Sequence, residues 1–474
     1  MMKLLLKLEQ TALQTPDRPA YIVGTQTVTY GELVSLAKRD GALLRREGTS
    51  PVIVCGHKEP AVVRAIVACL YAGRAYVPVD VCVPAERLQN IIRQTGASLV
   101  LAARPVCVPG VTVLSPDGLE CFSDREPQPN GNRIAYMIFT SGSTGVPKGV
   151  PVSCENLENF VRWEQTLPCL NGLQAATVCN QARFHFDLSV ADLYYALCGG
   201  HTLAAVRTEN SLDFAEIFRV LKKSDVAVMT PTFLRLCLTE RDFNTENYPK
   251  LSCVYVCGEP LPKPAAKTLL ERFPRLCLLN AYGPTEATSA VCAVRITKEM
   301  LRDDAPLPVG ELSAAATEIF IENGEVILKG KSVCGGYLHA DGDAFFVRDG
   351  EQCYRTGDLG YTQNGMLYVS GRRDGQIKYM GYRIELGEIE NAALRIPGVR
   401  ACAVVPQTAP DGTVRAITAF AEADAFLSPD AVQTALRRTL PSYMVPKTVR
   451  ILPSLPVTAN GKTDRKELQK QCRT

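Results

Sequence analysis

Apolar positions along this chain fall into short continuous runs that alternate with stretches at helical spacing. Val52 to Cys55 reads as a buried strand, Ala61 to Tyr71 as a helix and Ala75 to Val79 as a strand again, with Leu33 to Arg46 a helix before them. This rhythm predicts βαβ units and an α/β fold whose largely parallel sheets are flanked by helices. Further strands are expected at Thr177 to Gln181, Val226 to Met229, Val254 to Val256 and Cys277 to Leu279, with a helix over Ser189 to Leu197. Several of these strands end in turn-forming, polar or aromatic residues, as a binding crevice built on loops requires. From about Pro308 the pattern shortens to strands with glycine turns, at Glu325 to Leu328, Gly335 to Leu338, Tyr354 to Asp358 and Met366 to Val369, a β-rich subdomain. A charged, glycine-flanked joint at 371–376 leads into a small α+β domain. There, helices are expected at Leu386 to Leu394 and Pro429 to Leu440, and strands at Ala401 to Val405 and Ala416 to Ala421. The expected division is therefore 1–371, a hinge at 372–375 and a mobile lid at 376–474.

Composition narrows the class without naming a chemistry. At 474 residues, 46% hydrophobic and 21% charged, the chain is globular rather than disordered or fibrous. A net charge of +3 argues against nucleic acid as a partner. Its distribution is uneven: from Gly371 onward there are 16 Lys and Arg against 10 Asp and Glu, leaving 36 against 39 before it. A basic end of this kind steers an acidic partner. The eighteen cysteines form no CxxC and are scattered through apolar runs, which reads as buried thiols in a reducing compartment. Four histidines, at 57, 185, 201 and 339, are too dispersed for a zinc site. The first ten residues are broken by Lys7 and Glu9, unlike a signal peptide, and the apolar stretch Ala61 to Val79 carries Arg64 and Arg74, so no membrane insertion is expected. The expected location is cytoplasmic.

Candidate chemistry concentrates at Tyr136 to Gly149, reading YMIFTSGSTGVPKG. A strand-forming run ends in glycines 142, 145 and 149, in the hydroxyls of Thr140, Ser141, Ser143 and Thr144, and in Lys148. Backbone amides, hydroxyls and one cation make a loop suited to a polyphosphate. Lys148 precedes Gly149 rather than a hydroxyl residue, so this is not a Walker loop; the bland alternative is a flexible linker. Asp187, at the start of a predicted helix, is open to two readings, a helix N-cap and a partner for a substrate ammonium.

Eight blocks in one order resemble the adenylate-forming superfamily of adenylation domains, acyl-CoA synthetases and luciferases. They are TSGSTGVPKG (140–149), FDLS (186–189), NAYGPTEAT (280–288), GEVILKGKSVCGGYL (324–338), YRTGDLG (354–360), GRRDGQIKYMGYRIELGEIE (371–390), LPSYMVP (440–446) and NGKTDR (460–465). FDLS and GYRIELGEIE are similar to the amino-acid-activating branch, and 256–288 to enzymes that ligate D-alanine to a carrier protein. The resemblance implies ATP and Mg2+ as cofactors, an amino acid substrate and a separate phosphopantetheinylated carrier protein, because little chain follows the last motif.

The same resemblance implies residue roles. Thr140, Ser141, Gly142, Ser143, Thr144, Gly145 and Lys148 would hold the β and γ phosphates. Tyr282 would stack on adenine, Asp358 would accept from the ribose hydroxyls with Arg372 assisting, and Gly258, Glu259, Pro260, Asn280, Ala281, Gly283 and Thr285 would complete the nucleotide surface. Glu286 would bind the metal, and Lys462, with Thr144 and Glu286, would be catalytic. Asp187 would pair with the substrate ammonium, and Ala191, Val228, Tyr255, Cys257, Ala281, Ser289 and Ala290 would line the amino-acid pocket. Ala191 is smaller than the methionine expected there, which admits a larger or different amino acid. Asp374 would be the hinge, with Lys378 and the 381–383 turn facing the pantetheine arm. Taken singly, Lys462 is also readable as a surface lysine, Tyr282 as turn packing, Glu286 as a helix start and Asp358 as a turn residue. The implied function is amino-acid activation as aminoacyl-AMP and transfer to a carrier thiol, D-alanine first. The alternatives are a stand-alone peptide-synthetase-type adenylation enzyme for another small amino acid and an inactive nucleotide-binding partner protein.

Overall fold

The computed structural model describes residues 3–122, 134–142, 147–207, 213–303, 305–339, 343–409, 413–424, 426–456 and 463–472. They form two compact units, one of Met1–Val81, Ile92–Ile138 and Gly149–Gly371, the other of Cys82–Ile91, Phe139–Lys148 and Arg372–Thr474.

The first unit holds two α/β sheets. The larger has six parallel strands, in the order Pro19–Val23, Thr202–Ala205, Thr177–Asn180, Val226–Met229, Cys253–Val256 and Cys277–Tyr282, closed at its edges by antiparallel Gln26–Thr29 and Cys292–Arg295. Val226–Met229 and Cys253–Val256 are buried at every position, the unbroken apolar pattern of strands covered on both faces. Between two of these strands lies the helix Leu188–Gly199, whose residues 188–198 are all buried; it ends at Gly200, which adopts the left-handed conformation at φ 70°.

The second sheet runs Thr112–Leu114, Leu99–Ala102, Val52–Cys55, Tyr76–Val79, Ile134–Thr140 and Lys148–Ser153. It contains the expected strand-helix-strand of 52–79, with Pro60 opening the helix Pro60–Ala72. Arg74, the charge inside that apolar stretch, is buried and satisfied: its guanidinium donates to Glu47 Oε2 at 2.5 Å, to Ser50 O at 2.7 Å and to Leu44 O at 2.9 Å. Among the described residues no helix is long and apolar enough to cross a membrane.

A third sheet, of Gly310–Glu311, Met366–Arg372, Glu351–Gln363, Glu325–Lys329 and Glu318–Glu322, with Phe345–Arg348 paired on Glu351–Gln363, is the β-rich subdomain. One expected strand fails to form. Residues 335–338 make turns around a single bridge at Tyr337, because Gly336 sits at φ 136° and Leu338 donates to Gly149 O at 2.8 Å.

The second unit has a three-stranded sheet of Val399–Thr408, Val414–Ala423 and Thr448–Leu452, a two-stranded ribbon of Gln376–Tyr379 and Tyr382–Glu385, and the helices Leu386–Leu394, Pro429–Thr439 and Arg465–Gln471. Its core is Ile384, Ile389, Val404, Ile417, Ala419, Leu436 and Met444, with Tyr382 and Tyr443 stacked at 3.7 Å. The reading of every cysteine as a buried thiol needs correction. Cys107 and Cys121 are exposed, and Cys169 and Cys277, with Cα atoms 6.0 Å apart, are joined as a disulfide.

Candidate active site

Four strand ends of the larger sheet build one face. Parallel register aligns Asn180, Val228, Tyr255 and Leu279 in a row, and a two-residue period puts Cys257 and Ala281 on the same side one step further along. With Ala191 and Ala290, the residues Val228, Tyr255, Cys257 and Ala281 fall in one hydrophobic cluster. Ser289 is buried beside Ala290 at φ 70°. The hydroxyls of Tyr255 and Ser289 are enclosed and have no hydrogen-bond partner.

The polar half is assembled by contacts far apart in sequence. Asp187 stands at the N-cap of Leu188–Gly199, yet its side chain makes no capping bond; instead Thr285 Oγ1 donates to Asp187 Oδ2 at 2.5 Å. Tyr282 donates its hydroxyl to Asp358 Oδ2 at 2.5 Å, and burial, then the adjacent Asp358 carboxylate, pushes the phenol well above its ordinary value. Glu286 is 1% exposed in a tight turn at Thr285–Ala287 and accepts from the Tyr337 hydroxyl at 2.5 Å. Gly283 is required by a close approach, since a Cβ there would meet Ala290 Cα at 2.4 Å. Glu259 Oε2 accepts from Thr232 N at 2.9 Å, tying two strand ends together, while Gly258 takes φ 94° and Pro260 is exposed. Asn280 directs its amide to Pro308 O at 2.8 Å, a structural bond behind the face.

Within the second unit, the segment carrying Thr140, Ser141, Gly142 and Lys148 already meets carboxylates. Gly142 N donates to Glu388 Oε2 at 3.0 Å, and Arg87 holds the other oxygen of Glu388 at 2.5 Å. Ser141 Oγ donates to Arg383 O at 2.8 Å and accepts from Glu385 N at 2.9 Å; Lys148 Nζ lies 4.0 Å from Glu385. Burial raises the Glu385 carboxyl above its ordinary value. An amide of this loop therefore does take an anionic oxygen. Arg372 forks onto Asp374 with two bonds of 2.7 Å, and Asp374 also accepts from Gln376 N at 3.2 Å. Burial opposes ionisation of Asp374, but the Arg372 bonds win and hold its carboxyl below the usual range. Ser143, Thr144, Gly145 and Lys462 lie outside the described residues.

Two further residues were not singled out by sequence. Tyr337 sits inside the GGYL block, and its contact with Glu286 gives it a role. Glu164 occupies a helix position where the apolar pattern calls for hydrocarbon.

The fold and these motifs are those of an AMP-binding enzyme. The chain belongs to the AMP-binding enzyme family, which it matches over residues 8–338, and it matches the AMP-binding enzyme C-terminal domain over 388–462. It is 36% identical to the D-alanine--D-alanyl carrier protein ligases of Bacillus thuringiensis (strain Al Hakam) and Bacillus cereus (strain AH187), with 98% of this chain and 99% of each relative covered. Among solved structures it is similar to the Vibrio cholerae adenylation domain AlmE in complex with glycyl-adenosine-5'-phosphate, with TM-score 0.85, 26% identity, and 100% of this chain and 98% of that chain covered. It is also similar to an NRPS protein containing adenylation and PCP domains, with TM-score 0.81, 26% identity, and 99% and 84% covered.

Proposed function

We propose that the protein is an ATP-dependent amino acid:carrier protein ligase. The observation that carries this reading is the bond from Thr285 to Asp187, which holds a carboxylate suited to a substrate ammonium against the residue that precedes Glu286. In the first step the amino-acid carboxylate attacks the α-phosphorus of ATP and pyrophosphate leaves; in the second a thiol attacks the carbonyl and AMP leaves. Asp187 orients the amino acid by its ammonium, the apolar wall from Ala191 to Ala290 excludes water, and Tyr282 and Asp358 receive adenine and ribose. Gly142 and its neighbours bind the outer phosphates, with Lys462 neutralising charge as the anions meet. Arg372 assists at the ribose, and Asp374 serves as hinge between 1–371 and 376–474.

Mg2+ fits the donor set. Glu286 offers a hard carboxylate oxygen, and no group of three acid, histidine or cysteine ligands exists among the described residues, as suits an ion that keeps water and phosphate in its shell. Bound there, it would neutralise phosphate charge. A cytoplasmic location, where ATP and a phosphopantetheinylated carrier protein are at hand, fits this chemistry.

D-alanine is the first substrate to test, following the curated relatives that the chain matches over nearly its whole length. A second reading, a peptide-synthetase-type enzyme for another amino acid, is favoured by the short side chain of Ala191. Amino-acid-dependent exchange of labelled pyrophosphate into ATP, run across D- and L-amino acids, tests both. Exchange is expected for one amino acid and should be lost in Lys462→Ala with ATP binding retained. ATP binding without exchange for any acid would support an inactive nucleotide-binding protein instead.

A further inference from the structure

The helix Cys154–Glu164 is opened by Ser153, which accepts from Asn156 N in a capping box. It buries Leu157, Phe160 and Val161 on one face, and helical spacing puts Glu164 next on that face. Glu164 is 0% exposed, and neither of its carboxylate oxygens has a hydrogen-bond partner. Buried carboxylates are as a rule paired or hydrogen-bonded, so one left unmatched marks a position where a partner arrives from outside.

Its neighbourhood identifies that partner. The helix packs on Leu188–Gly199, and its residues Leu157, Phe160 and Val161 share one buried cluster with Ala191, Tyr195 and Tyr255; burial, ahead of the neighbouring Asp192, raises the Glu164 carboxyl well above its ordinary value. Tyr255 belongs to the row that floors the amino-acid pocket, and its hydroxyl also lacks a partner. Ala191, one turn before Tyr195, contributes only a methyl group to that wall. The buried ammonium of Lys58 is directed elsewhere, to Asn180 Oδ1 and Ala182 O.

We propose that the amino-acid pocket continues past Ala191 to an acidic end formed by Glu164 and the Tyr255 hydroxyl, and that the substrate is an amino acid bearing a second ammonium on its side chain, which Glu164 meets as a carboxylate once the cation is beside it. The proposal rests on the ligase reading above. Asp187 takes the α-ammonium and Glu164 the distal one. A substrate without the distal group leaves Glu164 unpaired, which is how a buried polar site discriminates strongly.

The test is pyrophosphate exchange by the full chain and by Glu164→Gln, with alanine, norvaline, 2,4-diaminobutyrate, ornithine and lysine, each as both enantiomers. At least one diamino acid should exceed alanine in kcat/KM by about tenfold or more, and Glu164→Gln should lose that preference while gaining on norvaline. Alanine or norvaline outperforming every diamino acid overturns the proposal and leaves the ligase reading intact. So does a diamino acid preference that survives Glu164→Gln. Exchange with no amino acid overturns both. Should Glu164→Gln not fold, Glu164→Asp, with its arm one methylene shorter, should move the preference to a longer diamino acid; an unmoved preference counts against the site.

Discussion

Around Tyr282, polar groups of the site have partners within the protein: its hydroxyl rests on Asp358, Tyr337 rests on Glu286, and Thr285 on Asp187. Around Tyr255 the opposite holds, with the Tyr255 and Ser289 hydroxyls and both Glu164 oxygens enclosed without one. The contrast separates two tasks. Groups that meet an invariant ligand are best held in advance, because preorganised dipoles need no rearrangement when charge arrives. Groups that choose among side chains discriminate by staying unsatisfied until the right one binds.

The sharpest way to break this comparison is Asp358→Ala. It takes the carboxylate acceptor from the buried Tyr282 hydroxyl and removes the acceptor proposed for ribose, so kcat/KM for ATP should fall about 100-fold, roughly 3 kcal/mol, in pyrophosphate exchange. The KM for amino acid should be unchanged. Asp187→Asn should act on the other substrate: KM for the amino acid is expected to rise about 30-fold, roughly 2 kcal/mol, with KM for ATP within twofold. Equal losses for both substrates would merge the two halves into one.

Glu164→Gln sharpens the contrast through stability. Burial raises the Glu164 carboxyl well above its ordinary value. Its contribution to stability is therefore present below about pH 4.3, the unfolded value, and is lost as pH rises towards the folded one. Without ligand, the glutamine variant should match the parent near pH 4 and exceed it by about 1–3 kcal/mol at pH 8 in urea denaturation. The smallest expected effect is Tyr255→Phe, which removes a hydroxyl that bonds to nothing and should change stability by less than about 0.5 kcal/mol. Tyr282→Phe, which deprives Asp358 of a donor, should cost about 1–2 kcal/mol.

Much of the architecture is legible in the chain. Leu386–Leu394 forms over the residues its periodicity predicts, Val52–Cys55 likewise, and the helix expected at Ala61 to Tyr71 forms as Pro60–Ala72, because each depends on neighbours within a few positions. The failure at Gly335 to Leu338 is instructive. Gly335 and Gly336 are poor strand formers, Gly336 sits at φ 136°, and Tyr337 donates to Glu286, some fifty positions earlier in the chain, so local preference and tertiary contact both oppose the strand.

What the order of residues determined without help is the alternation of strand and helix, a loop sequence at 140–148 suited to a polyphosphate, and the run of motifs that shows the family. What only the folded chain decided is which groups meet: that Asp187 faces Thr285 rather than capping its own helix, that Glu388 reaches Gly142, and that Glu164 is sealed in the interior with nothing to bind. Local pattern is set by interactions a few residues apart. Pairing across such separations, 98 residues for Asp187 and Thr285 and 246 for Gly142 and Glu388, depends on how packed layers bring strand ends and helix faces together, and no local window along the sequence contains both partners.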